Sequence, residues 1–142
     1  MDSHADISCV NKHAFIESIV EVMRVNAVPF EKCIGKISDL QIINAIYAYD
    51  NLNTFRTILL QINHVIYIKD MKHALLCPNQ SREYSNIIDD TPPHLDHKGT
   101  GIFTITSGYY GLPLEQYGHM AYIHLRRPSE DELGYCPIID IY

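Results

Sequence analysis

At 142 residues and 16.3 kDa, the chain has the length of one domain, and its 46% hydrophobic and 20% charged residues exclude disorder as the default state. Eleven basic against 17 acidic residues give a formal charge of -6. That balance excludes the positive footprint of a duplex nucleic-acid binder and a polybasic membrane anchor, so neither direct nucleic-acid contact nor a membrane is expected.

The N-terminal Met1-Asp2-Ser3-His4-Ala5-Asp6 does not read as a signal peptide, and no apolar run approaches the roughly 20 residues a spanning helix needs. Cys9, Cys33, Cys77 and Cys136 are spread without a CxxC pair and read as reduced thiols of an intracellular protein, cytoplasmic or nuclear. Segment 14–25 is ambiguous. Its apolar residues at 15, 16, 19, 20, 22 and 23 fit a helical stripe, whereas its β-branched content fits strands. From Ile42 to Tyr49 the residues are β-branched and aromatic, with Ile43, Ala45, Tyr47 and Tyr49 on one parity. Asp50-Asn51-Leu52-Asn53 is turn chemistry. Thr54–Ile62 and Val65–Ile68 follow as strands broken at Asn63-His64, so a hairpin followed by a third strand is expected.

Pro78 suits the first turn of a short helix over Asn79–Tyr84. Only Gly35 and Pro29 fall before residue 78, so the second part of the chain should be richer in loops. Residues 85–101 read as a connector, 102–106 and 119–125 as strands, and Pro128–Leu133 as the acidic start of a helix. Strands dominate, and the fold class is mostly β with minor α. A division at residue 84 separates the denser region 1–84 from a loop-rich β extension, 85–142.

Phosphate and dinucleotide cradles lack their glycine motifs, and no GxSxG elbow is present. His94 and His97 with Asp96 between them, and His4, Asp6 and Cys9 with Asp2, are conceivable metal groups on residue type alone; a solvated loop is the simpler reading, and no metal or other cofactor is expected. Tyr109, Tyr110, Tyr117, Tyr122 and Tyr135 read as half-buried strand aromatics.

The N-terminal pentapeptide differs. A carboxylate on a tight turn, flanked by a small hydroxyl residue and Ala, is how aspartic proteases present a catalytic Asp. Two such carboxylates within about 3 Å share one proton, so that one activates water while the other protonates the peptide carbonyl. One short chain carries one motif, and the chemistry would need a two-fold dimer.

After this motif come Ile42–Asp50, Thr57–Ile62, Val65–Ile68 and Met71–Gln80, in the order of catalytic loop, flap, long strand, short strand and two hydrophobics leading into a helix. The run Val65-Ile66-Tyr67-Ile68-Lys69-Asp70-Met71-Lys72-His73-Ala74-Leu75-Leu76 resembles the segment that closes the protease of copia-type retrotransposon polyproteins. Ala48-Tyr49-Asp50, Leu75–Arg82, Asp89-Asp90-Thr91-Pro92, Leu112-Pro113-Leu114 with Gly118, and Arg126–Glu132 resemble a divergent copia-like group whose loop carries His in place of Gly.

The resemblance implies a retropepsin-like β-barrel, closed or open, and an aspartic endopeptidase that processes a polyprotein as a homodimer. It implies Asp2 as the catalytic residue, with Ser3, His4, Ala5 and Asp6 supporting the loop. Leu75, Leu76 and Cys77 form the second loop and helix entry, and the flap falls near 30–40 around Gly35. Cys77 stands near the usual Gly of the second loop. The family's catalytic loop is fed by an upstream strand, and the sequence begins at Met1; a truncated barrel with little or no activity is therefore expected. A non-catalytic β-rich structural or interaction domain is the other reading these residues allow.

Overall fold

The computed structural model describes residues 7–27, 37–89, 91, 94–95, 104–118 and 120–142. The protein is mostly β. Its strands are β1 (Cys9–Val10), β2 (Phe15–Ala27), β3 (Ile37–Asn51) and β4 (Arg56–Tyr67), then β5 (Ile87–Asp89), β6 (Thr104–Ser107), β7 (Tyr110–Pro113), β8 (Glu115–Tyr117), β9 (Met120–Tyr122) and β10 (Ile138–Asp140). Two single-turn helices interrupt them, α1 (Pro78–Glu83) and α2 (Glu130–Tyr135).

The main sheet runs β1-β4-β3-β2, with β10 also on β4. Two small antiparallel units accompany it, β5-β6-β7 and β8-β9. Among the described residues no sheet closes on itself, so of the closed or open barrel expected, the closed form is not made by these strands.

The ambiguous segment 14–25 is strand. β2 pairs antiparallel with β3 from Phe15↔Ile46 to Ala27↔Ile37, with several register shifts. Strand wins because β3 supplies a partner edge at both ends of the segment, Phe15–Ile19 and Arg24–Ala27, and propensity for the isolated segment counts for little beside that ladder.

The hairpin of β3 and β4 forms around Asp50–Asn53 as expected, but the separate third strand does not. β4 is one strand with a bulge: Ile43 faces Val65 and Ala45 faces Ile62, so Asn63 and His64 together oppose Asn44. His64 lies in the left-handed region at φ 53°, and its N–H donates to Asn44 Oδ1 at 3.0 Å. The extra residue shifts parity. Ile58, Leu60 and Ile62 face the main core before the bulge and Val65 faces it afterwards, alongside Ile43, Ala45, Tyr47 and Tyr49 of β3. Ile46, Ala48 and Leu59 pack on the opposite face against Phe15, Leu133 and Cys136. β3 and β4 are thus buried on both faces, which is why they read as near-continuous apolar runs.

The other edge of β4 takes two parallel partners. β1 pairs as Cys9↔Ile66 and Val10↔Tyr67, and β10 as Ile138↔Leu59 to Asp140↔Gln61. The last residues therefore return to the first sheet: Ile141 and Tyr142 are buried, and the Tyr142 carbonyl accepts from Asn63 N–H at 2.6 Å. Arg126 joins the hairpin to α2. Its guanidinium donates to both oxygens of Asp50 (2.6 and 2.8 Å) and to both oxygens of Glu132 (2.6 and 2.9 Å). Glu132 also closes a capping box with Ser129.

Candidate functional site

Asp2, Ser3, His4, Ala5 and Asp6 lie outside the described residues, as does segment 28–36, which carries most of the expected flap. What the structure describes is how the strand leaving that loop is held. Segment 7–10 enters as a short, mostly apolar run, and its backbone is satisfied on both sides. On one side Ile66 N–H donates to the Ser8 carbonyl at 3.1 Å and Ile68 N–H to that of Val10 at 2.9 Å. On the other, Cys9 and Leu75 exchange both backbone hydrogen bonds, at 2.8 and 2.9 Å. The strand therefore lies between β4 and the Leu75–Cys77 segment.

Ser8 is the polar centre of this arrangement and is completely buried. Its N–H donates to Gln80 Oε1 at 3.0 Å, and its Oγ accepts from Cys77 N–H at 2.8 Å and from the Tyr142 hydroxyl. Cys77 N–H also faces the Tyr142 oxygen. Burial pushes the Tyr142 phenol well above its ordinary range, so it stays a neutral donor. Burial likewise raises the Cys9 thiol.

Leu75 is half-buried, Leu76 and Cys77 are buried, and Cys77 stands at the N-cap of α1 with Pro78 in the first turn. The structure thus brings the three residues expected at the second loop against the strand expected to leave the first. The sequence reading missed Ser8, Gln80 and Tyr142. A hydroxyl residue inside the apolar run from Ile7 to Val10 was a usable signal for Ser8; a chain-terminal tyrosine carries none.

Beside this strand lies a pocket of mixed character, about 220 Å³, whose polar lining (Asn11, His13, Tyr47, Lys72, His73 and His124) is set among aliphatic side chains such as Leu76 and Ile123. Asn11 is buried and fully used: its Nδ2 donates to the carbonyls of Met71 and Lys72, and its Oδ1 accepts from His13 N–H and the Tyr47 hydroxyl. Burial raises the Tyr47 phenol to about 12. The floor is therefore neutral and hydrogen-bonded, with imidazoles and one ammonium around it.

No group of three His, Cys, Asp or Glu side chains able to hold a metal occurs among the described residues. His94 is exposed, while Asp96 and His97 lie outside the described residues. Cys9, Cys77 and Cys136 form no disulfide among the described residues, and Cys33 lies outside them. Among the described residues no helix is long and apolar enough to cross a membrane. Comparison with protein families, with curated proteins and with solved structures finds no match to this chain.

Proposed function

We propose that the chain is a retropepsin-like aspartic endopeptidase region of a copia-type retrotransposon polyprotein, working as an intracellular homodimer with one Asp2 from each subunit. The observation that carries this reading is the clamp on segment 7–10. A catalytic Asp must be held within a fraction of an Å of its geometry, and a loop is held by its flanks. Here the flank that follows Asp2–Asp6 is fixed on one side by β4, on the other by Leu75, and internally through Ser8. The second loop of the resemblance, Leu75–Cys77, is the segment that does the clamping.

The β2–β3 pairing supports the same reading. It extends to Ala27↔Ile37, so the expected flap segment connects the two ends of a long antiparallel hairpin. Ser3, His4, Ala5 and Asp6 then support the loop, with His4 in the place of the usual Gly.

The test is cleavage of fluorogenic peptides between about pH 4 and 6, where a proton-sharing pair of carboxylates is active. Any cleavage should be pepstatin-sensitive, with a rate per chain that falls on dilution and vanishes in Asp2→Asn. Cleavage that survives Asp2→Asn, or a rate per chain indifferent to dilution, rejects the shared pair. A folded dimer that cleaves nothing favours the non-catalytic β module.

A further inference from the structure

At the far end of β4 from Ser8, roughly 30 Å away along the strand at about 3.3 Å per residue, lies a larger cleft. Its volume is about 570 Å³, and it lies between the β3–β4 turn, the β6–β7 turn and the end of α2. Such a volume is in the range of small-ligand sites, about 300–1,000 Å³.

Three features of its lining bear on what it could hold. Phe55, Tyr109 and Tyr135 all line it and are 92%, 106% and 74% exposed. This corrects the expectation of half-buried tyrosines at 109 and 135, and Tyr117, outside the cleft, is exposed as well. Phe55 also holds φ at 53°, a conformation unfavourable for a bulky side chain, with no burial to offset it. Finally, the cleft has one cation and no carboxylate in its lining: Arg56 has no ion-pair partner among the described residues. Of the acids near the cleft, Asp50 and Glu132 are occupied by Arg126, while Asp131 and Glu132 act on Tyr135 from α2.

We propose that this cleft binds an aromatic ring carrying a carboxylate, with the ring among Phe55, Tyr109 and Tyr135 and the carboxylate on Arg56. Aromatic faces and edges take an aromatic ring in offset or edge-on contact. A single guanidinium fork matches a carboxylate in two parallel hydrogen bonds, whereas a doubly charged phosphate would keep unneutralised charge in a site with one cation. The ring-bearing carboxylate is either a free aromatic acid or the C-terminal aromatic residue of a polypeptide. The site is separate from the Asp2 chemistry and does not depend on it.

The chain contains no tryptophan, so an indole probe fluoresces over tyrosine alone. Titration of the full chain against N-acetyl-L-tryptophan should give saturable binding, and the neutral N-acetyl-L-tryptophanamide should bind about tenfold more weakly. Arg56→Gln should bring the acid down to the level of the amide. Phe55→Gly should weaken both probes by a similar factor; because it relieves the left-handed conformation, its thermal midpoint should hold or rise, and loss of binding cannot come from unfolding. Indole-3-acetate and Gly-Gly-Trp with a free C-terminus separate the two sources: tighter binding of the first assigns a free acid, of the second a polypeptide end. No saturation by about 10 mM, a range that would still detect millimolar affinity, equal affinity for acid and amide, or undiminished binding in both variants overturns the proposal.

Discussion

Removing the Ser8 hydroxyl tests the clamp most directly. In Ser8→Ala the backbone bonds to Ile66 and Gln80 remain, but the oxygen that accepts from Cys77 N–H and from the Tyr142 hydroxyl is gone. Both Ser8 and Tyr142 are fully buried, so bulk water does not replace it. The amide still faces the Tyr142 oxygen, and the phenol proton is the group left without a partner. One orphaned buried donor costs about 1–3 kcal/mol, and the lost bond to the amide adds about 1 kcal/mol.

Ser8→Ala should therefore destabilise by roughly 2–4 kcal/mol. Tyr142→Phe leaves Cys77 N–H on Ser8 and should cost only about 1 kcal/mol. Urea unfolding reads the difference: with a slope of about 1–3 kcal/mol/M, Ser8→Ala should lower the midpoint by about 0.7–4 M at unchanged slope. Amide exchange supplies the local readout. The Cys9, Ile66 and Leu75 amides should lose protection in Ser8→Ala more than those of β7, because the strand beside Ser8 opens first. A loss below about 0.5 kcal/mol, the range of ordinary surface substitutions, refutes the reasoning. A larger loss in Tyr142→Phe than in Ser8→Ala, or unchanged protection at Cys9, does so as well.

Other substitutions probe the sheet and the Arg126 junction. Leu59 is fully buried on β4, on the face toward α2, and Leu59→Ala should cost about 2–5 kcal/mol in chemical unfolding. His64→Val places a β-branched side chain in the left-handed position of the bulge and should cost about 1–2 kcal/mol in a thermal melt, whereas His64→Gly should not destabilise. The Arg126 guanidinium, through its hydrogen bonds, holds Glu132 down at about 2 and Asp50 below the ordinary carboxylate range. Since both folded values are depressed, the stability they contribute is present above the ordinary carboxylate range and is lost as pH falls toward 2. Arg126→Met should flatten that acid slope, by about 1 kcal/mol or less after solvent screening of these surface pairs; an identical pH profile would show that the junction contributes nothing.

Local signals in the sequence were enough for the mostly β class, the β3–β4 hairpin, α1 and the start of α2. Each rests on neighbours in the chain. Alternating Ile43, Ala45, Tyr47 and Tyr49 mark one face of a strand, Asp50–Asn53 make a turn, Pro78 opens a helix, and the acidic run Glu130–Glu132 starts one. Asn63-His64 was also visible as an interruption, but whether it ended the strand or bulged it depended on β3 continuing alongside, with Asn44 ready to accept from His64.

Segment 14–25 carried both periodicities, and the β3 edge decided between them. The short strands β5, β8 and β10 have too few residues to show a period. β10 forms because β4 has a free stretch of edge at Leu59–Gln61, beside the stretch taken by β1. The clamp on segment 7–10 depends on the same long-range closure. Leu75, Gln80 and Tyr142 reach Ser8 and Cys9 from distant points of the chain, and burial in that enclosed space turns an ordinary serine into an acceptor that water cannot replace. Composition and spacing set which segments could be strands; which edges met, and which polar groups lost their water, was decided by how those strands packed.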